Sequence, residues 1–115
     1  MEDKTKVMHY MRKNKRDNAV IYVRGHDEEI EKMQEMMCRL YCKDEDYEVL
    51  FVTKNLEDVK DCDVLVVTNA SRISRNQLKY YEILKEFKKK GIKVELATQH
   101  KNAFENFDLV RSLLK

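Results

Sequence analysis

The chain alternates between short runs of continuous apolar residues and longer stretches in which apolar positions recur every three or four residues. A-V-I-Y-V-R, Ala19 to Arg24, is an apolar run closed by a charge, the pattern of a strand covered on both faces. Three further runs read as strands: Y-E-V-L-F-V-T (Tyr47 to Thr53), D-V-L-V-V-T (Asp63 to Thr68), again apolar on both faces, and I-K-V-E-L-A-T (Ile92 to Thr98). Amphipathic segments lie between them. Asp27 suits a helix cap, with Glu28 and Glu29 favourable in the first turn. Ile30, Met33, Met37 and Tyr41 then follow at helical spacing and predict a core-facing stripe. Asn55 to Asp61 reads as a polar linker of one or two helical turns. Ser74 and Gln77 have the spacing of a capping box. It would open a helix with Tyr80, Ile83, Leu84 and Phe87 on one side, stopped at Gly91 after Lys88, Lys89 and Lys90. Asn102 and Glu105 are expected to begin a last helix with Phe104, Phe107, Val110 and Leu114 inward.

This alternation predicts an α/β fold of three layers, a mostly parallel four-stranded sheet with helices on both faces. In such sheets ligands bind beyond the carboxyl ends of the strands, near the switch in strand order. Two segments fall there. One is Arg24-Gly25-His26 after the first strand, and the other is Asn69 to Asn76 after the third. If those strands are neighbours, Arg24, Arg72 and Arg75 converge, with Arg75 at a helix start that itself favours an anion. Guanidinium groups grip phosphate oxygens in pairs, so the expectation is a phosphate site. Pairing of Arg72 and Arg75 with surface carboxylates is the other reading of the same spacing.

Composition narrows the classes. Of 115 residues 43% are hydrophobic and 38% charged, enough for one core under a charged surface. The net charge of +2 provides no global pull toward polyanions, so nucleic-acid binding must rest on a local cluster. No apolar run is long enough to cross a membrane and no secretory leader is evident, so no membrane partner is expected. Cys38, Cys42 and Cys62 lack zinc-type spacing. They read as reduced thiols of a cytoplasmic protein, with no metal and no cofactor. Residues 1–18 carry Lys4, Lys6, Arg12, Lys13, Lys15 and Arg16 against Glu2, Asp3 and Asp17. They read as a basic arm or solvated tail ahead of a domain over residues 19–115. Proline is absent and glycine occurs twice, so turns must use Asn, Asp and Lys.

Y-V-R at Tyr22 to Arg24, and S-R-I-S-R-N at Ser71 to Asn76 after an apolar strand, resemble the catalytic domain of the serine recombinases, the resolvase and invertase group. In that family the first strand typically reads Tyr-x-Arg-x-Ser and the later motif Asp-Arg-Leu-(Ser or Gly)-Arg-Asn. The resemblance runs from about Ala19 to Gln99 and implies a sheet in the order 2-1-3-4. It also implies a chemistry: a serine hydroxyl attacks a DNA phosphodiester while arginines hold the scissile phosphate. Tyr22, Arg24, Arg72 and Arg75 match the family's residues. The position of the nucleophile is His26, and that of the acid before the second motif is Ser71. The family's glycine-rich segment between the second and third strands is reduced to Lys54 to Cys62. The expectation is therefore a domain tied to site-specific recombination that keeps an arginine phosphate site and has lost strand cleavage. Its expected partners are the DNA backbone, a second copy of itself, or an active recombinase. Two other classes stand beside it. One is a small dimerisation module using exposed Met and Tyr of the first or last helix, without DNA. The other is a nuclease or recombinase with a displaced nucleophile at His26, Ser71 or Ser74. A receiver domain is rejected, because the third strand ends in Thr68 and Asn69 where an acid is needed.

Overall fold

The computed structural model of the protein describes residues 16–98 and the two-residue strand Lys101–Asn102. Strand β1 (Asn18–Tyr22) is followed by helix α1 (Glu28–Asp44) and strand β2 (Glu48–Thr53). A 3-10 turn (Leu56–Asp58) leads to β3 (Val64–Val67), and a second one (Ala70–Arg72) to helix α2 (Gln77–Lys89). Strands β4 (Lys93–Leu96) and β5 (Lys101–Asn102) complete the sheet, whose order is β2-β1-β3-β4-β5. The first four strands are parallel in the expected order 2-1-3-4, and β5 adds a short antiparallel edge to β4. Each of these four strands stops or starts one or two residues inside its apolar run, except that β1 begins one residue earlier, at Asn18, and β2 runs to the end, at Thr53.

Each face of the sheet has its own core. On the α2 side, Val20, Tyr22, Leu65, Val67, Val94 and Leu96 pack against Leu84 and Phe87. On the α1 side, Ala19, Ile21, Val23, Val64, Val66 and Ala97 pack against Cys38, Tyr41 and Cys42. The central strand β3 is buried at all four positions, as the unbroken V-L-V-V run requires. Burying each such side chain is worth about 1.5–3 kcal/mol. The exposed ion pairs Arg39–Glu35 and Lys89–Glu86 contribute at most ~1 kcal/mol apiece, so the two apolar layers carry the fold.

Both helices end in the same way. At α2, Ile92 N–H donates to the Phe87 carbonyl and Gly91 N–H to that of Lys88, with Gly91 at φ 74°. At α1, Tyr47 N–H donates to Cys42 and Asp46 N–H to Lys43, with Asp46 at φ 60°. These are Schellman stops. The second uses aspartate, one of the residue types that tolerates the left-handed region, in a chain with few glycines.

Several expectations need correction. The core-facing stripe of α1 is Gln34, Cys38, Tyr41 and Cys42; Ile30 is half-buried, and Met33 and Met37 are exposed. The cap of α2 is Asn76, whose Oδ1 accepts from Lys79 N–H at 2.9 Å, so no Ser74–Gln77 capping box forms. The linker 55–61 is not wholly polar, because Val59 is fully buried. Asn102 belongs to β5 and does not begin a helix; the remainder of the expected last helix lies outside the described residues. So does most of the basic arm. Arg16, at its end, donates to the Tyr47 carbonyl at 2.9 Å and lies 3.2 Å from Asp46.

The α1-side core holds one buried carboxylate. Glu95 accepts from the Tyr41 hydroxyl at 2.7 Å and from the Tyr47 hydroxyl at 2.8 and 2.9 Å. Burial first, and the bond to Glu95 second, push both phenols up from their ordinary range, so they remain donors at any working pH. Burial also pushes the Cys38 thiol up to about 12 and the Cys42 thiol up to about 11. Both are protonated packing groups at neutral pH.

Candidate functional site

The loops after β1 and β3 open side by side because those strands are neighbours in parallel register. Between them lies a cleft of about 550 Å³. Arg24, Gly25 and His26 line one wall; Ser71, Arg72, Ser74, Arg75, Asn76 and Lys79 line the other. Four permanent cations face this space and no carboxylate is in its lining. Asn76 caps α2 at the cleft, so the positive end of that helix adds to the field.

The β1 loop is held from beneath by α1. Buried Gln34 accepts from Arg24 N–H and donates to the Arg24 carbonyl, both at 2.8 Å. The Arg24 carbonyl also accepts from Arg72 Nη1 at 3.2 Å, which ties the two walls together. Gly25 N–H donates to Glu31 at 3.4 Å, and the other Glu31 oxygen lies 2.9 Å from Lys54 Nζ. The hydrogen bond from Lys54 holds the Glu31 carboxyl below its usual range and keeps Lys54 above its own. A Cβ on Gly25 would sit 2.8 Å from Ile30 Cγ2, so only glycine lets the loop lie this close to α1.

The β3 loop is pinned by buried Ile73. Ser71 Oγ donates to Asn69 Oδ1 at 2.6 Å, and Ser74 Oγ accepts from Asn76 N–H at 3.1 Å. Both hydroxyls thus serve local turns. Arg72 is half-buried, and its Nε is buried without a hydrogen-bond partner among the described residues. His26 is exposed, with Nε2 3.5 Å from Asp27 Oδ2, while Asp27 Oδ1 caps α1 by accepting from Ile30 N–H.

The structure therefore brings Arg24, His26, Arg72 and Arg75 to one cleft. Tyr22 lies in the α2-side core and does not line it. Sequence reasoning missed Lys79, one helical turn beyond Arg75, and Gln34, whose signal was a lone amide one helical turn from Ile30 and from Cys38. Among the described residues no group of three or more His, Cys, Asp or Glu is placed to hold a metal ion, and no helix is long and apolar enough to cross a membrane.

A family model, the resolvase N-terminal domain, matches residues 19–114. The chain is a resolvase-family domain. Among solved structures, this resolvase-type domain is similar to a resolvase family site-specific recombinase from Streptococcus pneumoniae, with TM-score 0.73 and 13% identity over 86% of each chain. It is also similar to the C-terminal catalytic domain of ISC1926 TnpA, an IS607-like serine recombinase. There the TM-score is 0.62 and the identity 24%, covering 84% of this chain and 78% of that one. These likenesses establish the resolvase catalytic-domain fold. None of the curated proteins matches the chain.

Proposed function

We propose that the domain takes part in site-specific DNA recombination by holding a backbone phosphate in the arginine cleft, without itself cutting the strand. The observation that carries this reading is the cleft wall of Arg24, Arg72, Arg75 and Lys79, which has no carboxylate to neutralise it. Guanidinium donors aimed at phosphate oxygens make short charge-assisted bonds. The buried Arg72 Nε, with no protein acceptor among the described residues, is a donor that a phosphate oxygen would satisfy.

Inactivity follows from what stands at the attacking position. Covalent cleavage needs a nucleophile within bonding reach of phosphorus. Here that position is His26, and the neighbouring hydroxyls of Ser71 and Ser74 are engaged in turns. The domain then acts as a partner in a recombination complex, with its own copies or with an active recombinase. Its free, buried Cys38 and Cys42 fit a cytoplasmic setting.

Binding to a short duplex, measured against salt, tests the phosphate site. Affinity is expected to fall steeply as salt rises, by a log–log slope of about −0.9 for each phosphate neutralised. The Arg72→Ala/Arg75→Ala double substitution should flatten that slope by about two contacts. Absence of binding at low salt would overturn the reading. A strand-cleavage assay of the protein beside His26→Ser tests the second half. Cleavage by the unaltered chain, with a covalent adduct lost in His26→Ala, would show that the reaction survives.

A further inference from the structure

The charge in the arginine cleft exceeds what a backbone phosphate matches. Elsewhere on the domain, Arg16, Arg39, Lys54, Lys89 and Lys93 each lie 2.8 to 3.9 Å from a carboxylate. Among the described residues no such pair forms at Arg24, Arg72, Arg75 or Lys79, and the cleft they line holds no acid. Asp27 lies 3.5 Å from His26, and its other oxygen caps α1. An internal phosphodiester brings one negative charge to this wall. A phosphomonoester brings about −1.5 to −2 at pH 7 and three free acceptor oxygens.

We infer, resting on the reading of this cleft as a phosphate site, that its preferred ligand is a phosphomonoester, at the end of a nucleic-acid strand or on a mononucleotide, over an internal phosphodiester. Shape supports the same choice as charge. Arg72 Nη1 donates to the Arg24 carbonyl at 3.2 Å and so bridges the β1 and β3 loops. The Nε of the same guanidinium is buried and has no acceptor among the described residues. An internal phosphate is tied to a sugar on both sides, and a continuing strand has to carry both flanks past this bridge. A terminal phosphate hangs on one stem and enters end-on. One oxygen then serves Arg72 Nε, and the other two serve the exposed Arg24, Arg75 and Lys79. The start of α2 adds to the preference for the greater negative charge. A volume of about 550 Å³ is that of a small-molecule site, with room for a nucleoside beside the phosphate.

Titration of the full chain with one short labelled duplex, prepared with phosphates or with hydroxyls at every strand end, tests the inference at constant salt. The phosphate-ended duplex is expected to bind about tenfold tighter. Arg75→Ala/Lys79→Ala should bring that ratio to about one, whereas Arg39→Gln, outside the cleft, should leave it unchanged. Thermal melting of each variant confirms that the domain remains folded. A nucleoside 5′-monophosphate and inorganic phosphate, added as competitors, separate the sources of the dianion. Strong displacement by the nucleotide assigns the site to free nucleotides and weak displacement to strand ends; beside the tenfold preference, either supports the monoester class. Equal affinity for the two duplexes overturns the inference and leaves the backbone reading standing. So does a preference untouched by Arg75→Ala/Lys79→Ala, which would place the end-binding site elsewhere. Binding of the phosphate-ended duplex alone, with none of the hydroxyl-ended one at low salt, upholds the inference and overturns the backbone reading. Binding of neither overturns both.

Discussion

Helix α2 buries Leu84 and Phe87 against the sheet, with Tyr80, Tyr81 and Ile83 packed beside them, and its inner face is apolar. Helix α1 buries Gln34, Cys38, Tyr41 and Cys42 on the opposite face and leaves Met33, Met36 and Leu40 in solvent. The two helices have the same job in the fold, covering a parallel sheet, but different second jobs. Helix α2 presents its start to the cleft through Asn76 and keeps its flank for packing. Helix α1 must hold the β1 loop from below, and a side chain that can both donate and accept is needed there. Gln34 fills that place, and the inner face it shares with Cys38, Tyr41 and Cys42 leaves the methionines outside. The buried amide of α1 therefore shows where the helix serves the site, while Met33, Met36 and Leu40 stay exposed on its outer side.

The sharpest break between the two helices is expected at Phe87. Phe87→Ala removes an aromatic ring from the α2-side core and should cost about 3–5 kcal/mol in a denaturant titration. A loss below about 1 kcal/mol would mean that α2 is not the anchor described. Next comes Gln34→Leu, which leaves the Arg24 N–H without a partner and its carbonyl with Arg72 Nη1 alone. Its expected cost is about 1–3 kcal/mol, and phosphate or duplex affinity should fall with it because Arg24 and Arg72 lose their shared anchor. In an Arg24→Ala/Arg72→Ala background the further affinity loss should vanish. A loss of equal size there would make Gln34 merely structural.

Smaller effects test the helix ends. Gly91→Ala keeps open space around the new Cβ but forces it into φ 74°, and should destabilise by about 1 kcal/mol. Asp46→Gly relieves the same strain at the end of α1 and should stabilise by up to ~1 kcal/mol. Opposite signs in thermal melting would confirm that both stops share one geometry. The smallest effect is expected at Met36→Gln, within about 0.5 kcal/mol of unaltered stability, since this side chain is 63% exposed.

Much of the fold was legible because parallel strands covered on both faces leave continuous apolar runs. V-L-V-V reads as buried whatever surrounds it. The arginine loops were legible too, since Arg24, Arg72 and Arg75 follow such runs directly and the topology sends all strand ends to one rim. The error at α1 has a physical source. Its apolar residues occupy an arc wide enough for two stripes, and periodicity cannot say which of them meets the sheet. The misplaced cap of α2 is similar: Ser74, Asn76 and Gln77 all offer capping chemistry, and only the path of the chain out of the Ala70–Arg72 turn selects Asn76.

The amino-acid sequence by itself determined the layers, the strand positions and the residues available at the rim, because burial on both faces and helical spacing are local properties of the chain. Only the tertiary structure decided that Gln34 bonds the Arg24 backbone, that Tyr41 and Tyr47 meet Glu95 from three elements along the chain, and that the methionines of α1 face outward. The first two depend on groups apart in the chain meeting at hydrogen-bond range, and the third on which face of α1 meets the sheet, none of which a local pattern encodes.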